Sequence, residues 1–206
     1  MSHCTSFPFA YTEERHLVSA LDKMKLSAEY TVVNEYSNHL AKSLSYVGYM
    51  GGNQYRALCA KHEAGNIMIL KEKDAYRFSI ESSKGPVAYG IASDIEVCFR
   101  LFYIESVLEE ICDDYRRRGV TARLSSDDNS FSIHLGSDMS ISVSISVKGG
   151  LVHEEVNGVS GSVCEIITAQ IEAMLAAPNS TLTSEWKTAY HEEIDNKIVE
   201  VLDLHQ

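Results

Sequence analysis

The strongest constraint on the fold is the strict alternation between apolar residues and serines from Met139 to Val147. Successive side chains of a β-strand point to opposite faces, so this period of two gives one apolar and one polar face. Lys148-Gly149-Gly150 then predicts a turn, and the segment from Leu151 to Asn157 predicts the return strand of a hairpin. The hairpin is therefore expected to bury one face of an antiparallel sheet.

A second periodicity predicts a long helix from Ser93 to Arg118. Spacings of three and four residues keep one apolar stripe on a single helix face over about five turns. Gly119 stands where a left-handed C-cap is usual, and Ser93 or Asp94 can cap the start. The predicted stripe consists of Val97, Leu101, Ile104, Leu108, Ile111 and Tyr115.

Shorter patterns predict the remaining elements. The segment from Cys4 to Phe9 is predicted as an edge strand because Pro8 cannot donate a ladder hydrogen bond. Thr12 is predicted to cap the first helix, and Ser162 opens another with a capping-box pattern. A last amphipathic helix is predicted from about residue 184 to 204. Further strands are predicted at 28–36, 55–61, 67–71, 75–81, 120–124 and 131–135.

Together these elements predict an α+β protein. A mainly antiparallel sheet with a long packing helix would be followed by a small domain of one β-hairpin plus helices. Gly136-Ser137-Asp138 separates the two sets, so the predicted domains are residues 1–137 and 138–206. Hydrophobic residues make up 45% of the chain and charged residues 23%, which is typical of a folded globular protein.

Charge and cysteine usage restrict the partners and the compartment. The net charge of −11 repels phosphate backbones, so general nucleic-acid binding is not expected. No apolar stretch approaches the ~20 residues that cross a membrane. The five cysteines are scattered without a Cys-x-x-Cys pair, and the start lacks signal-peptide features. We therefore expect the cytoplasm or an equivalent reducing compartment.

Several segments carry a resemblance to known families: Met1-Ser2-His3, Tyr46-Val47-Gly48-Tyr49, and the helix end from Val107 to Val120. Through them residues 1–136 resemble a family of uncharacterised proteins encoded by an open reading frame of some algal plastid genomes, and found in cyanobacteria, other bacteria and phages. Residues 139–176 resemble a second family of unknown function, through the serine-spaced strand and Cys164. The resemblance implies no activity. It implies a working association with MoxR-type AAA+ ATPases, whose genes often lie nearby. It also implies the plastid stroma, or a host cytoplasm if the source is viral, as alternative compartments.

A glycine-rich loop and an arginine run are the candidate ligand-binding features. The loop from Gly48 to Gly52 can present backbone amides to an anion, although it lacks the Lys-Ser/Thr ending of a P-loop. A tight turn is the alternative for the loop, and compensation of a helix C-terminus is the alternative for the arginines. The candidate residues are Gly48, Tyr49, Gly51, Gly52, Tyr55, Arg116, Arg117 and Arg118.

The other candidate residues concern interfaces and chemistry. Cys164 is the best candidate nucleophile because it opens a helix, but packing as a small apolar residue is favoured. His3 and Cys4 point to opposite faces of a strand, so no metal site is predicted. No catalytic residue and no cofactor are predicted. The candidate interface residues, on the last helix, are Trp186, Tyr190, Ile194 and Ile198.

The function predicted from these observations is a non-catalytic binding or adaptor protein. Its partner would be another protein, with the MoxR-type ATPase implied by the resemblance, or a second copy of the chain. The alternative is a protein that binds or sequesters a small anionic ligand such as a nucleotide, encoded by a phage. An enzyme that uses Cys164 or His3 is the third hypothesis.

Overall fold

The computed structural model describes residues 2–34, 54–81, 87, 89–127, 129–159 and 162–187. Within them the helices are α1 (Glu14–Lys23), α2 (Tyr89–Arg117) and α3 (Ser162–Leu175). The strands are β1 (Ser2–Pro8), β2 (Ala28–Asn34), β3 (Gln54–His62), β4 (Gly65–Glu72), β5 (Ala75–Glu81), β6 (Ala122–Asp127), β7 (Ser130–Leu135), β8 (Ile141–Lys148), β9 (Leu151–Asn157) and β10 (Thr183–Lys187). All named strands pair antiparallel, which confirms the predicted α+β class. None of the described helices is long and apolar enough to span a membrane.

The chain divides into two compact units. Tyr11–Ile104 form the first, which we call the middle unit. Met1–Ala10 together with Glu105–Gln206 form the second, which we call the terminal unit. The long helix α2 is shared between them, because the division falls within its length.

The middle unit is a sheet of order β2-β3-β4-β5 with helical cover on one face. On that face the Phe78 ring of β5 lies 5.1 Å from the Phe99 ring of α2, and Ile69 lies opposite Phe78 in the strand pairing. Strand β4 is buried on both faces, which explains its unbroken apolar run of residues 67–70. The opposite face holds a second apolar cluster of Val33, Ala57, Met68 and Leu70, with Cys59 against it.

The backbone N–H groups at the start of α1 find a different hydrogen-bond acceptor from the predicted one. Thr12 was the predicted cap, but the N-cap residue is Glu13 and it makes no side-chain cap hydrogen bond. The Tyr103 hydroxyl of α2 instead accepts the backbone N–H of Thr12 at 2.9 Å and that of Glu13 at 3.0 Å. A side chain about 90 positions away therefore accepts the hydrogen bonds that a local cap was expected to accept. The local sequence around α1 could not reveal this contact.

The terminal unit is built on a sheet of order β10-β1-β9-β8-β7-β6. The predicted alternation of β8 is confirmed, since Ile141, Val143 and Ile145 are buried while the serines between them are only partly covered. Helix α3 joins the sheet through backbone bonds: Ala10 N–H donates to Leu175 C=O at 2.9 Å. The apolar faces of sheet and helix form the core of this unit.

The first strand occupies a different position from the prediction. Pro8 suggested an edge strand, but β1 lies between β9 and β10. The physical reason is that Pro8 is the last residue of the strand: it pairs with Leu151 of β9, whereas pairing with β10 stops at Ser6. The missing N–H of proline therefore interrupts no ladder between two neighbours.

The sheet of the terminal unit does not divide at residue 137. Strand β7 pairs with β8 across the predicted boundary, through contacts such as Leu135 with Ile141, so Gly136-Ser137-Asp138 turns a hairpin within one sheet. Strand β1, from the other end of the chain, pairs in the same sheet. A restart of the alternation marks a new strand, but it does not tell a hairpin turn from a linker between domains.

The buried stripe of α2 changes face along the helix. The second half follows the prediction, with Ile104, Leu108, Ile111 and Tyr115 buried. In the first half Val97 is 42% exposed and Leu101 only half-buried, whereas Ile95 and Phe99 are buried instead. Each half packs in its own unit, so a single stripe along the sequence could not describe both. The predicted C-cap is confirmed: Gly119 has φ 85° and Val120 N–H donates to Tyr115 C=O at 3.0 Å.

The predicted tail helix is wrong at its start. Thr183–Lys187 form β10, which pairs with β1 through contacts such as Trp186 with His3. Residues 188–206 lie outside the described residues. The apolar spacing suggested a helix, but this segment forms a strand because it supplies hydrogen-bond partners to the backbone groups of β1.

Candidate functional site

The predicted ligand-binding loop and most of the predicted interface lie outside the described residues. This holds for Gly48, Tyr49, Gly51 and Gly52, and for Tyr190, Ile194 and Ile198. The backbone of Tyr55 is described and pairs with Val33 across β3 and β2. The backbone of Trp186 lies in β10. These assignments stay predictions.

The predicted arginine run ends α2. The Arg116 guanidinium donates from Nε to Ala122 C=O at 2.9 Å and from Nη1 to Asp113 at 2.6 Å. Arg117 lies 3.4 Å from Asp114, and Arg118 pairs with the same carboxylate. These contacts fit the alternative in which cations compensate the negative end of the helix dipole.

The cysteines range from buried, as at Cys112 and Cys164, to exposed, as at Cys98. Cys164 is buried at the start of α3, where its thiol contacts Val159 C=O at 3.4 Å. Burial raises the pKa of Cys164, and it raises that of Cys112 to about 11. A nucleophilic cysteine needs the opposite shift. Among the described residues, no group of three or more His, Cys, Asp or Glu side chains is placed to hold a metal ion.

The polar face of the terminal-unit sheet brings together residues that lie far apart in sequence. Ser6 Oγ of β1 lies 2.8 Å from His153 Nδ1 of β9, although 147 positions separate them. Serines of β7 and β8 surround the pair and line a shallow concavity of about 270 Å³ with it. A hydroxyl beside an imidazole is also the arrangement of a nucleophile and its base, so this pair is the place to test for catalysis.

The outer edge of β2 is the most exposed strand surface of the middle unit. Residues 29–32 are all exposed, and Tyr30 and Val32 show 47% and 64% of their surface to solvent. Among the described strands, none pairs with this edge. The pairing with β3 runs without interruption from Ala28 to Asn34, so no bulge twists the edge away. Among the described residues, the backbone N–H and C=O groups on the outer side of β2 therefore have no strand partner.

Tyr30 is held in a fixed position on this edge. Its hydroxyl donates to Glu14 of α1 at 2.6 Å, and the Arg56 guanidinium lies 4.0 Å from its ring centroid. Tyr76 of β5 donates to the other oxygen of Glu14 at 3.0 Å. The hydrogen bonds from Tyr30 and Tyr76 lower the pKa of Glu14, and the bond to Glu14 raises the pKa of Tyr30. An exposed aromatic side chain is therefore already ordered.

Sequence reasoning missed this edge, although part of the signal was present. The run Tyr30-Thr31-Val32-Val33 has strong β-propensity and predicted a strand correctly. Whether that strand is central or at an edge depends on the sheet order, which periodicity does not contain. The contacts of Tyr30 with Glu14 and Arg56 likewise join three separate elements.

Comparison of the chain with known protein families, with curated proteins and with solved structures gave no match. The resemblance to the plastid and cyanobacterial family and to the second uncharacterised family stays a prediction. Function is therefore argued from the geometry of the chain itself.

Proposed function

We propose that this chain is a non-catalytic binding protein that takes an extended segment of a partner protein along the outer edge of β2. The supporting observation is the run of four exposed residues on a strand edge that no described strand covers. Such an edge presents backbone N–H and C=O groups at strand spacing. Another strand complements these groups along its whole length, whereas a helix does not.

The composition of the edge supports the same reading. Natural proteins protect edge strands with lysine, proline or bulges. The exposed part of β2 contains only one charged residue, Glu29, together with Tyr30, Thr31 and Val32. An unprotected edge is a liability unless a partner uses it. Because Tyr30 is already held by Glu14 and Arg56, a partner loses less conformational entropy when it packs on the ring.

The partner to test first is a MoxR-type AAA+ ATPase, because the resemblance implies that association. The alternative function, binding of a nucleotide through the loop at Gly48 and the arginines, gains no support at Arg116 to Arg118, whose guanidinium groups already contact Asp113, Asp114 and Ala122. The raised pKa values of Cys112 and Cys164 disfavour these two thiols as nucleophiles.

The test uses Val32→Lys, which places a protective charge on the edge at a position that is 64% exposed. Extended peptides selected from a display library, and the purified ATPase, are titrated against both forms. We expect the variant to weaken binding at least about tenfold, and amide exchange of β2 to slow in the wild-type complex. Val97→Lys is the matched control, because it introduces the same change at an exposed valine of α2.

Several outcomes would contradict the proposal. An equal loss of binding in Val97→Lys would show that the added charge weakens binding wherever it is placed, and not because it lies on the edge. A wild-type dimer that Val32→Lys dissociates, measured by light scattering, would assign the edge to a second copy. Selection of no peptide together with no binding to the ATPase would remove the proposed partner. Covalent labelling of Ser6 by a fluorophosphonate would show a catalytic serine and overturn the non-catalytic assignment.

A further inference from the structure

A cavity of about 440 Å³ lies on the face of the middle-unit sheet that carries the second apolar cluster. It extends from the turn after α1 across β2, β3 and β4. Its volume falls in the range of small-molecule sites. The lining residues include Lys25, Leu26, Glu29, Cys59, Lys61 and Met68.

The floor of the cavity is formed by the sulfur-containing side chains of Cys59 and Met68. Glu29, Cys59 and Met68 form one row across three strands, since Cys59 pairs with Glu29 on one side and with Met68 on the other. The Cys59 thiol lies 3.3 Å from the Met68 sulfur, and burial raises the pKa of the thiol. Neutral thiol and thioether groups are polarizable and adapt to the shape of an apolar guest.

The rim carries cations that the described chain leaves unpaired. The ammonium groups of Lys25 and Lys61 form no ion pair with another described residue. Glu29 is an acidic residue of the same lining. Among the lining residues two positive charges stand against one negative charge, in a chain whose net charge is −11. Glu81, whose charge also acts on Cys59, does not line the cavity.

Lys25 occupies a backbone position that usually holds glycine. Its φ is 60°, and the Leu26 N–H donates to Leu21 C=O at 2.9 Å, as in a helix C-terminal motif with a left-handed residue. A lysine is strained in this conformation where glycine is not. Its side chain lines the cavity, so replacement by glycine would remove the ammonium group from the rim while it relieves the backbone strain.

We propose that this cavity binds a small organic monocarboxylate, with its apolar body on the Cys59–Met68 floor and its carboxylate between Lys25 and Lys61. A single negative charge matches the excess charge of the rim. Hydroxyl and amide groups of Ser27, Thr31 and Asn66 supply further polar contacts around the mouth. The cavity shares Glu29 and Thr31 with the β2 edge, whereas Val32, on which the peptide test depends, points to the other face of the strand.

The probes are 3-phenylpropionate and its neutral amide, 3-phenylpropanamide, titrated by calorimetry against the full chain. We expect the acid to bind at least about tenfold more tightly than the amide, because only the acid forms ion pairs with the rim. Lys61→Gln is expected to weaken binding of the acid and to leave binding of the amide unchanged.

Lys25→Gly separates binding from folding. Glycine relieves the left-handed strain, so this variant is expected to be at least as stable as the wild type and yet to bind the acid less tightly. Lys73→Gly is the matched control, because Lys73 has φ 54° in the exposed β4–β5 turn and does not line the cavity. It is expected to gain similar stability and to keep the affinity for the acid.

Four results would overturn the proposal: equal affinity for acid and amide, no binding of either probe up to about 10 mM, unchanged affinity in Lys25→Gly, or an equal loss in Lys73→Gly. Tighter binding of phenylalanine than of 3-phenylpropionate would also overturn the monocarboxylate assignment, because Glu29 would then hold an ammonium group.

Discussion

Replacement of Glu154 by glutamine is expected to remove the part of the pH dependence of stability that this buried carboxyl group causes in the terminal unit. Glu154 lies in β9 on the inner face of the sheet and is 2% exposed. Neither of its carboxyl oxygens has a hydrogen-bond partner among the described residues. It pairs with Thr5 of β1 and Ile145 of β8, and the charge of Glu172 of α3 acts on it.

These surroundings disfavour the charged carboxylate. Burial, and then the charge of Glu172, raises the pKa of Glu154 well above its ordinary value of 4.5. A raised pKa in the folded state means that the contribution of Glu154 to stability is largest below pH 4.5 and is lost as pH rises towards its folded-state pKa. The loss in this interval is about 1.4 kcal/mol per pH unit.

Glutamine has the same shape and no charge at any pH. Near pH 4 the wild type carries a protonated acid, so the two proteins are expected to differ by no more than about 1–2 kcal/mol. Above that pH the wild type weakens and the variant does not. The difference in the free energy of unfolding is therefore expected to shift by about 1.4 kcal/mol per pH unit in favour of the variant.

Urea unfolding at pH values from about 4.5 to 8 measures this difference. The only tryptophan of the chain, Trp186, lies in β10 of the terminal unit, so its fluorescence reports the unfolding of this unit. Glu155→Gln is the control, because Glu155 is the next residue of β9 and points to the polar face of the sheet. Parallel pH profiles for the wild type and Glu154→Gln would refute the reasoning, as would an equal change in Glu155→Gln.

Two further predictions test how the middle unit is packed. Phe99→Ala is expected to destabilise it by about 3–5 kcal/mol because Phe99 is fully buried, whereas Val97→Ala is expected to change the free energy of unfolding little. If urea unfolding showed the larger loss for Val97→Ala, the buried stripe predicted from the sequence would be correct after all. Tyr103→Phe removes the hydroxyl that accepts the N–H groups of Thr12 and Glu13, and is expected to cost about 1–3 kcal/mol. An unchanged unfolding midpoint in Tyr103→Phe would mean that water satisfies those donors equally well.

The sequence predicted the elements of this protein better than their arrangement. The serine alternation around Val143 gave a correct strand with a correct buried face, and Gly119 gave a correct helix end. Both depend only on backbone geometry within a few residues. The middle strands from β3 to β5 were also predicted close to their observed bounds.

The candidate site was only partly accessible from the sequence. The β-propensity around Tyr30 was visible, but the exposure of the β2 edge and the contacts with Glu14 and Arg56 were not. The cavity rim likewise joins Lys25, after α1, to Lys61 at the far end of β3. No periodicity connects such positions.

The sequence by itself therefore determined most of the described strands and helices and which of their residues are apolar, with Thr183–Lys187 as an exception. Only the tertiary structure decided that β1 is a central strand, that Thr183–Lys187 add to its free side, and that Val97 is exposed while Phe99 is buried. The physical reason is that side-chain period is set by the local backbone. Strand order and the buried face of a helix are set by which apolar surfaces meet, and those surfaces come from distant parts of the chain.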